Sequence, residues 1–325
     1  MIRMFDGVRD HKFADNVCFL CGSNLIPGED SVEHVVPKWL QHRFSLWDVR
    51  VHLLNGTAIQ YKNLVIPCCK ECNSYHLAKV EQQVCASVLA GPAAVMAMDR
   101  VVLAQWLLKI FFGFLYRELF LPLDRTRPHK DTIVSPDDME QFQMLHYILQ
   151  SARVPMTFRC LGSPVPASVF VFELKEPAER KFQFDYKDDV IHRCLQIRMG
   201  RVGILAAFDM GLQAVEGAGF FPKYFGRVLH PIQFSELAVN LFSKARKLEI
   251  NPHLMFVETP GSVIVELMPP GRSPFAPLRT AEQGEMLAHF TKLPIDVVMP
   301  VPDRRITFLE ADDGSFRDIA IDTPL

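Results

Sequence analysis

Five of the eight cysteines lie within the first 72 residues, and their spacing is typical of a metal site. Four of them form two Cys-x-x-Cys pairs, Cys18 with Cys21 and Cys69 with Cys72. Two such pairs can supply four thiolates in a tetrahedron around Zn²⁺, with each pair on a tight turn. Cys68 could replace Cys69 only in a Cys-x-x-x-Cys geometry, so we expect Cys69 to be the ligand. The sequence therefore predicts a structural zinc site.

The residues between and just after these pairs carry side chains that suit phosphodiester hydrolysis. That reaction needs an activated water, a cation on the scissile phosphate and relief of charge at the leaving oxygen. His34 can accept a proton from water near neutral pH, and Glu33, on the opposite face of a predicted strand, can place an oxygen on a cation. Asn73 and His76 would share one face of a helix that starts after Cys72. Oxygen and imidazole ligands around an open site favour Mg²⁺ or Mn²⁺ as a catalytic cation.

The order of these residues resembles the HNH endonuclease family over about residues 16–85. The resemblance rests on CFLC at 18–21, EHVVP at 33–37, NL at 63–64 and CKECNSYH at 69–76. It implies a ββα-metal fold, in which a two-stranded ribbon and the helix after it hold one divalent cation. It also implies metal-dependent hydrolysis of DNA.

The resemblance implies a role for each matching residue. His34 matches the general base, Glu33 the acidic metal ligand and Asn73 the last metal-binding position. Asn63 matches the central Asn, which in relatives steadies the loop and the orientation of the base. His76 occupies a place often held by Lys or His, where a metal ligand, a phosphate contact or neither role fits.

Two further features of this segment affect the interpretation. Asn63 precedes Cys69 by six positions, where five is commoner in the family, so the turn carries one extra residue if Cys69 is the ligand. Lys38 follows Pro37 close to His34 in sequence and is a candidate phosphate contact.

Periodicity divides the chain into three predicted parts. Over 1–92 the resemblance implies a zinc-stapled ββα module, and the apolar patterns predict a helical connector over 93–152 and a C-terminal mixed α+β domain over 153–325, so the fold class is α+β. Gly91-Pro92 interrupts the helix after the second cysteine pair. The other predicted elements are helices over 98–121, 136–152, 233–248 and 280–293, a turn or strand pair over 207–219 and a hairpin over 303–321.

The composition limits the function classes. With 49% hydrophobic and 22% charged residues the chain cannot be disordered throughout. The net charge of −2, and the balance of nine basic and nine acidic residues over 1–85, restrict nucleic-acid binding to a local site. The opening residues lack the apolar core of a secretory signal, and Lys109, Arg117 and Glu118 disfavour a membrane span over 101–121. We therefore expect a cytoplasmic protein with no membrane partner.

These observations lead to one leading function and two alternatives. We expect a metal-dependent DNA endonuclease, whose fusion to a second domain is typical of bacterial restriction or anti-phage defence. The alternatives are a non-catalytic zinc-stapled module that binds nucleic acid or protein, and a nuclease that acts on RNA. The expected partners are DNA, a second copy docked through the 101–121 helix, and a regulatory partner or signal that binds the C-terminal domain.

Overall fold

The structure is a computed structural model that describes residues 4–7, 13–28, 30–128, 130–135, 138–160, 163–216, 219–249, 253–268 and 275–322. Over these residues it is a mixed α+β protein with several small sheets, as the sequence predicts. Contacts divide the chain into two compact units. The first comprises Met1–Leu89, Met98–Thr157 and Phe256–Val265, and the second comprises Ala90–Ala97, Phe158–Met255 and Glu266–Leu325.

Strands and helices alternate in short runs along the chain, and each kind is numbered in chain order. The strands are β1 (Ser31–His34), β2 (Arg50–His52), β3 (Ala58–Gln60), β4 (Val65–Cys68), β5 (Met156–Arg159), β6 (Ser168–Leu174), β7 (Phe184–Asp189), β8 (Cys194–Met199), β9 (Val202–Ala207), β10 (Val228–Leu229), β11 (His253–Thr259) and β12 (Ser262–Met268). The helices are α1 (Lys38–Arg43), α2 (Ala78–Ala90), α3 (Pro92–Met96), α4 (Arg100–Glu118), α5 (Gln143–Leu149), α6 (Leu212–Glu216), α7 (Pro231–Ala245), α8 (Thr280–Thr291) and α9 (Ile295–Val298).

In the first unit a two-stranded antiparallel ribbon precedes a helical segment. Strand β1 pairs with β4 in a register that places Ser31 opposite Cys68 and His34 opposite Val65. The chain then forms a π-helical turn, Cys72–Leu77, which continues into α2. Strands β2 and β3 form a separate small hairpin between the two ribbon strands in sequence. The ribbon and the helical segment meet at the second cysteine pair.

Helix α4 is buried along most of its length within the first unit. Its apolar residues surround Lys109, which is only 1% exposed. The helix also approaches the end of β1 closely, because a Cβ at Gly113 would lie 2.9 Å from the Val35 side chain. The region 93–152, which the sequence assigns to a connector, therefore contributes its main helix to the core of the first unit. Among the described residues, no helix is both long and apolar enough to cross a membrane.

The second unit is built on a five-stranded sheet with the order β10-β6-β9-β8-β7. Strand β10 runs parallel to β6, and the other neighbours are antiparallel. One face of the sheet carries Phe170 and Phe172, which pack in a core with Phe234, Leu237 and Leu241 of α7. Helix α8 packs beside α7. The remaining sheet has three strands in the order β11-β12-β5.

Two predicted elements differ in the structure. The segment 207–219 contains helix α6 instead of a turn or strand pair. The buried Asp209 carboxylate causes this, because it accepts hydrogen bonds from the backbone N–H groups of Gly211 (3.0 Å) and Gln213 (2.9 Å) and thus starts a helical turn. The helix predicted over 136–152 is shorter, with a 3₁₀ turn at Asp138–Phe142 before α5. Residues 136 and 137 lie outside the described residues.

Candidate functional site

The two predicted cysteine pairs come together in the first unit. The sulfur atoms of Cys18, Cys21, Cys69 and Cys72 all lie within 4.8 Å of one another. The Sγ atoms of Cys21 and Cys69 are 3.7 Å apart. The edge of a tetrahedron with Zn–S bonds of ~2.3 Å is about 3.8 Å, so this separation fits tetrahedral thiolate coordination.

Tight local turns hold each pair in place. The Cys18 N–H donates to the Ser23 carbonyl at 2.8 Å, and the Gly22 N–H donates to the Cys18 carbonyl at 2.9 Å. Gly22 has a φ of 74°, a conformation that favours glycine. In the second pair the Cys72 N–H donates to the Cys69 sulfur at 3.4 Å. This N–H group would stabilise a thiolate at Cys69, and the four residues could together hold Zn²⁺.

Electrostatics in the cluster also favour a bound cation. Hydrogen bonds from the thiols of Cys21, Cys68 and Cys72 hold the pKa of Cys18 well below its usual range. The pKa of Cys72 is raised, first by its hydrogen bonds to Cys18 and Cys21 and then by burial. The thiols therefore lie close enough to interact with one another, and a divalent cation bound by the four sulfur atoms would replace their protons. Cys68 is fully buried and supports Cys18, but Cys69 completes the set of four, as expected.

The end of β1 positions His34. The Val35 N–H donates to the Leu64 carbonyl at 3.0 Å, which fixes the ribbon at this point. The His34 ring is half-buried and stacks on Trp47, with 6.1 Å between the ring centroids and 23° between the planes. The ring also hydrogen-bonds to the backbone carbonyl of Lys62. One imidazole nitrogen is therefore engaged and the ring orientation is fixed.

The surroundings of His34 favour its neutral form. Burial is the largest cause that lowers its pKa, followed by the positive charges of Lys38 and Lys109. The hydrogen bond to Lys62 acts in the opposite direction. Lys38 is exposed at the start of α1, so a cation lies near the ring at the protein surface. A neutral imidazole beside an exposed ammonium can accept a proton near a bound anion.

Asn73 and Asn63 lie at the two ends of the segment around β4. The Asn73 amide nitrogen donates to the Ser31 hydroxyl at 2.7 Å and to the Val32 carbonyl at 3.1 Å, so it joins the helical segment to β1. These contacts use the amide nitrogen and leave the oxygen without a hydrogen-bond partner among the described residues. Asn63 is exposed in the turn before β4, where its amide lies 3.5 Å from the Gln60 side chain.

The contacts of His76 are different from those of His34 and Asn73. Its ring lies 3.9 Å from the Glu71 carboxylate and hydrogen-bonds to the Ala152 backbone. Burial is the main cause that lowers its pKa. The π-helical turn explains this placement, because its wider turn moves residues three apart away from a shared face. The predicted alignment of Asn73 with His76 assumed an α-helix.

Glu33 lies on the buried face of β1 and contacts a lysine. Its carboxylate forms an ion pair with Lys109, whose ammonium also lies 2.7 Å from the Glu81 carboxylate. The same ammonium donates to the carbonyls of His34 (2.5 Å) and Val35 (3.3 Å). Lys109 thus connects α4 and α2 to the end of the strand that carries His34.

Glu33, Lys109 and Glu81 form a buried triad, and their charges are coupled. Burial raises the pKa of Glu33 to about 7, although Lys109 acts to lower it. Burial alone would lower the pKa of Lys109, but Glu33 and Glu81 outweigh it and raise that pKa. One ammonium faces two carboxylates, so the triad is anionic or shares a proton near neutral pH.

The structure thus brings together some of the predicted residues. His34 and Lys38 lie close enough for charge coupling, and Asn73 binds the first two residues of β1. Glu33 instead binds Lys109 within the buried triad, and His76 contacts the backbone of Ala152. Among the described His, Cys, Asp and Glu side chains, the four cysteines form the one group of three or more whose ligand atoms converge. The sequence signal for the missed Lys109 was a lysine in the middle of an apolar helix, which must find partners when buried.

Comparison of the chain with protein-family models, curated proteins and solved structures finds no match of any of the three kinds.

Proposed function

We propose that the first unit is a metal-dependent endonuclease of the HNH type that hydrolyses phosphodiester bonds in DNA, with a structural zinc at the four cysteines. The observation that supports this most is the setting of His34. It lies at the end of a ribbon strand, half-buried and with a lowered pKa, beside the exposed Lys38. The ribbon precedes a helical segment that begins at the cysteine cluster. The order of elements and the state of the histidine both suit the proposed chemistry.

In this proposal His34 is the general base. The ring nitrogen not used by the Lys62 carbonyl takes a proton from a water molecule. The water oxygen forms a bond to phosphorus while the bond from phosphorus to the leaving oxygen breaks, and that oxygen gains a proton from solvent. Lys38 binds a phosphate oxygen near the ring. Asn63 steadies the turn that leads into β4, as the resemblance implies.

The predicted cation ligands fit a divalent ion only in part. The Asn73 oxygen is an available hard donor at the junction of ribbon and helix, whereas the Glu33 carboxylate is already bound to Lys109. A cation held there would neutralise charge on the scissile phosphate.

The test is nicking of supercoiled plasmid by the full-length protein with Mg²⁺ or Mn²⁺, and with EDTA as the control. We expect His34→Ala to reduce the rate at least 10²-fold, since general-base catalysis contributes about 10²–10⁴-fold. His42→Ala is the matched control, because His42 also stacks on Trp47, at 4.9 Å. Equal rates for the two variants would overturn the role of His34. Zinc content measured on the same samples checks that the cysteine site is intact.

A second candidate function is a zinc-stapled binding module without catalysis. The observation that favours it is the commitment of Glu33 to Lys109, which a purely structural ion pair explains without a second metal. In that case the protein binds zinc and DNA, but neither DNA nor RNA is cleaved in the presence of Mg²⁺ or Mn²⁺. Cleavage of RNA alone would instead support the RNA-directed nuclease.

A further inference from the structure

The sheet of the second unit changes from apolar to charged across a single face. Its register forms two rows of neighbours. The first row is Phe172, Gly203, Arg198 and Asp185, and the second is Phe170, Leu205, Gln196 and Lys187. Paired residues of neighbouring strands point to the same side of a sheet. The face that packs against α7 at β6 and β9 therefore ends in charged side chains at β8 and β7.

A cavity of about 720 Å³ lies over this charged part of the sheet. Its other walls are the start of α7, at Pro231 and Ser235, and the end of α8 with the residues after it. All of its lining residues belong to the second unit. The volume is within the range of about 300–1,000 Å³ that small-molecule sites occupy.

The cavity has more positive than negative partners for a ligand. Lys187, Arg198 and Lys292 line it together with Asp185 and Asp188. The Asp185 carboxylate forms an ion pair with Lys187 and accepts a hydrogen bond from the Gln196 amide at 2.7 Å. Asp188 accepts a hydrogen bond from the Tyr186 hydroxyl at 2.8 Å, and burial raises its pKa to about 6. The cavity therefore carries three cationic and two acidic side chains, and the ion pair of Asp185 is with Lys187 and not with Arg198 or Lys292.

Arg198 and Lys292 have unused donors. The Arg198 Nε atom is buried and has no hydrogen-bond partner among the described residues. Lys292 is exposed at the rim, and none of the ion pairs of the described residues includes it. The Arg198 side chain lines the cavity and no ion pair of the described residues includes it, so an anion in the cavity would supply a counter-charge for its guanidinium. The start of a 15-residue helix at the same wall adds a positive dipole end.

Two aromatic rings complete the walls. Phe290, in the last turn of α8, and Phe182 both line the cavity. Phe182 is 48% exposed, and the Lys181 ammonium lies over its ring at 4.6 Å from the centroid. Flat apolar surfaces next to cations suit a ligand that has a planar ring as well as negative charge.

We propose that this cavity binds a nucleoside phosphate, with its phosphates at Arg198 and Lys292 and its base against Phe182 and Phe290. The site is independent of the proposed nuclease residues, which all belong to the first unit.

The test is isothermal titration of full-length His34→Ala protein with ATP, without added divalent cations, so that the proposed nuclease site does not contribute. We expect saturable binding at one site. Arg198→Met and Lys292→Met should each weaken binding by tenfold or more, because each removes a charged hydrogen-bond donor to phosphate. Lys223→Met is the matched control, an exposed lysine of the same unit outside the cavity, and should stay within about twofold.

Inorganic tripolyphosphate and adenosine separate the two parts of the ligand. Both should bind more weakly than ATP, and Phe182→Ala should weaken ATP binding while leaving tripolyphosphate binding unchanged. Lys292 lies at the rim, so its variant keeps the test valid if Arg198→Met fails to fold. No ATP binding, or equal binding by the Lys292 and Lys223 variants, would overturn the proposal. Tripolyphosphate binding as tight as that of ATP would overturn the assignment of a base.

Discussion

Replacing Lys109 by methionine tests the buried triad. The change keeps most of the apolar volume of the side chain and removes its ammonium, which is 1% exposed. It leaves the Glu33 carboxylate, at 9% side-chain exposure, without its cation. It also removes a donor from the carbonyls of His34 and Val35. Removing one partner of a buried ion pair costs about 3–5 kcal/mol. We therefore expect the folded-to-unfolded ratio of the first unit to fall by roughly two to four powers of ten.

The loss should depend on pH with a defined sign. Burial already raises the pKa of Glu33 to about 7, and loss of the Lys109 charge raises it further. Between the unfolded and folded pKa values the folded variant binds more protons than the unfolded chain, so its free energy of unfolding falls as pH rises. At about 1.4 kcal/mol per pH unit, we expect the variant to be ~2–3 kcal/mol less stable at pH 8 than at pH 5.5.

The assay is urea unfolding followed by tryptophan fluorescence. The chain has three tryptophans, Trp39, Trp47 and Trp106, and all lie in the first unit, so the signal reports on that unit alone. The Glu33→Gln/Lys109→Met double variant should regain most of the loss at pH 8. A loss below about 1 kcal/mol, or one that is equal at both pH values, would refute the interpretation of the triad. Lys79→Met, at an exposed position of α2, controls for loss of a lysine.

Three further predictions concern the metal and the histidines. Cys69→Ser should lower the bound zinc measured by atomic absorption, whereas the adjacent Cys68→Ser should retain it; retention by both would exclude Cys69 as a ligand. If the nuclease proposal holds, the cleavage rate should rise with pH to a plateau with a midpoint below 6.5, and Lys38→Ala should move that midpoint upward, because the Lys38 charge lowers the pKa of His34. An unchanged midpoint would count against their coupling. Burial lowers the pKa of His146 to about 4, so the unfolded chain binds the extra proton and the first unit should lose roughly 3 kcal/mol between pH 6.5 and 4. His146→Gln should make the acid-unfolding curve shallower, and an identical curve would contradict this.

The features that the sequence predicted best depend on local spacing. Two Cys-x-x-Cys pairs specify tight turns, so the four cysteines that converge in the structure could be named before any fold was known. The periodicity of apolar residues likewise located the helices predicted over 233–248 and 280–293, which correspond to α7 and α8. Both kinds of signal are contained within a few consecutive residues.

The features that the sequence missed depend on contacts between distant residues. The ammonium of Lys109 meets the His34 carbonyl across 75 positions, and no local pattern indicates that Glu33 faces this cation. The π-helical turn Cys72–Leu77 places His76 in a different direction from the one that an α-helix would give. The sequence pattern does not distinguish a π-helical turn from an α-helical one. The sequence assigned helix α4 to a connector because its packing partners, such as Val35, lie far away in the chain.

The position of Lys109 also has a consequence for synthesis of the chain. During translation the strand that carries His34 is made 75 residues before the lysine that supports it. At ~5–20 residues per second this interval is about 4–15 s, during which Glu33 has no cation to be buried with. The two cysteine pairs are complete well before that point, at residue 72. Zinc binding can therefore precede the folding of β1, the strand that carries His34. A fragment that stops before α4 should bind zinc while the β1–β4 ribbon remains incompletely folded.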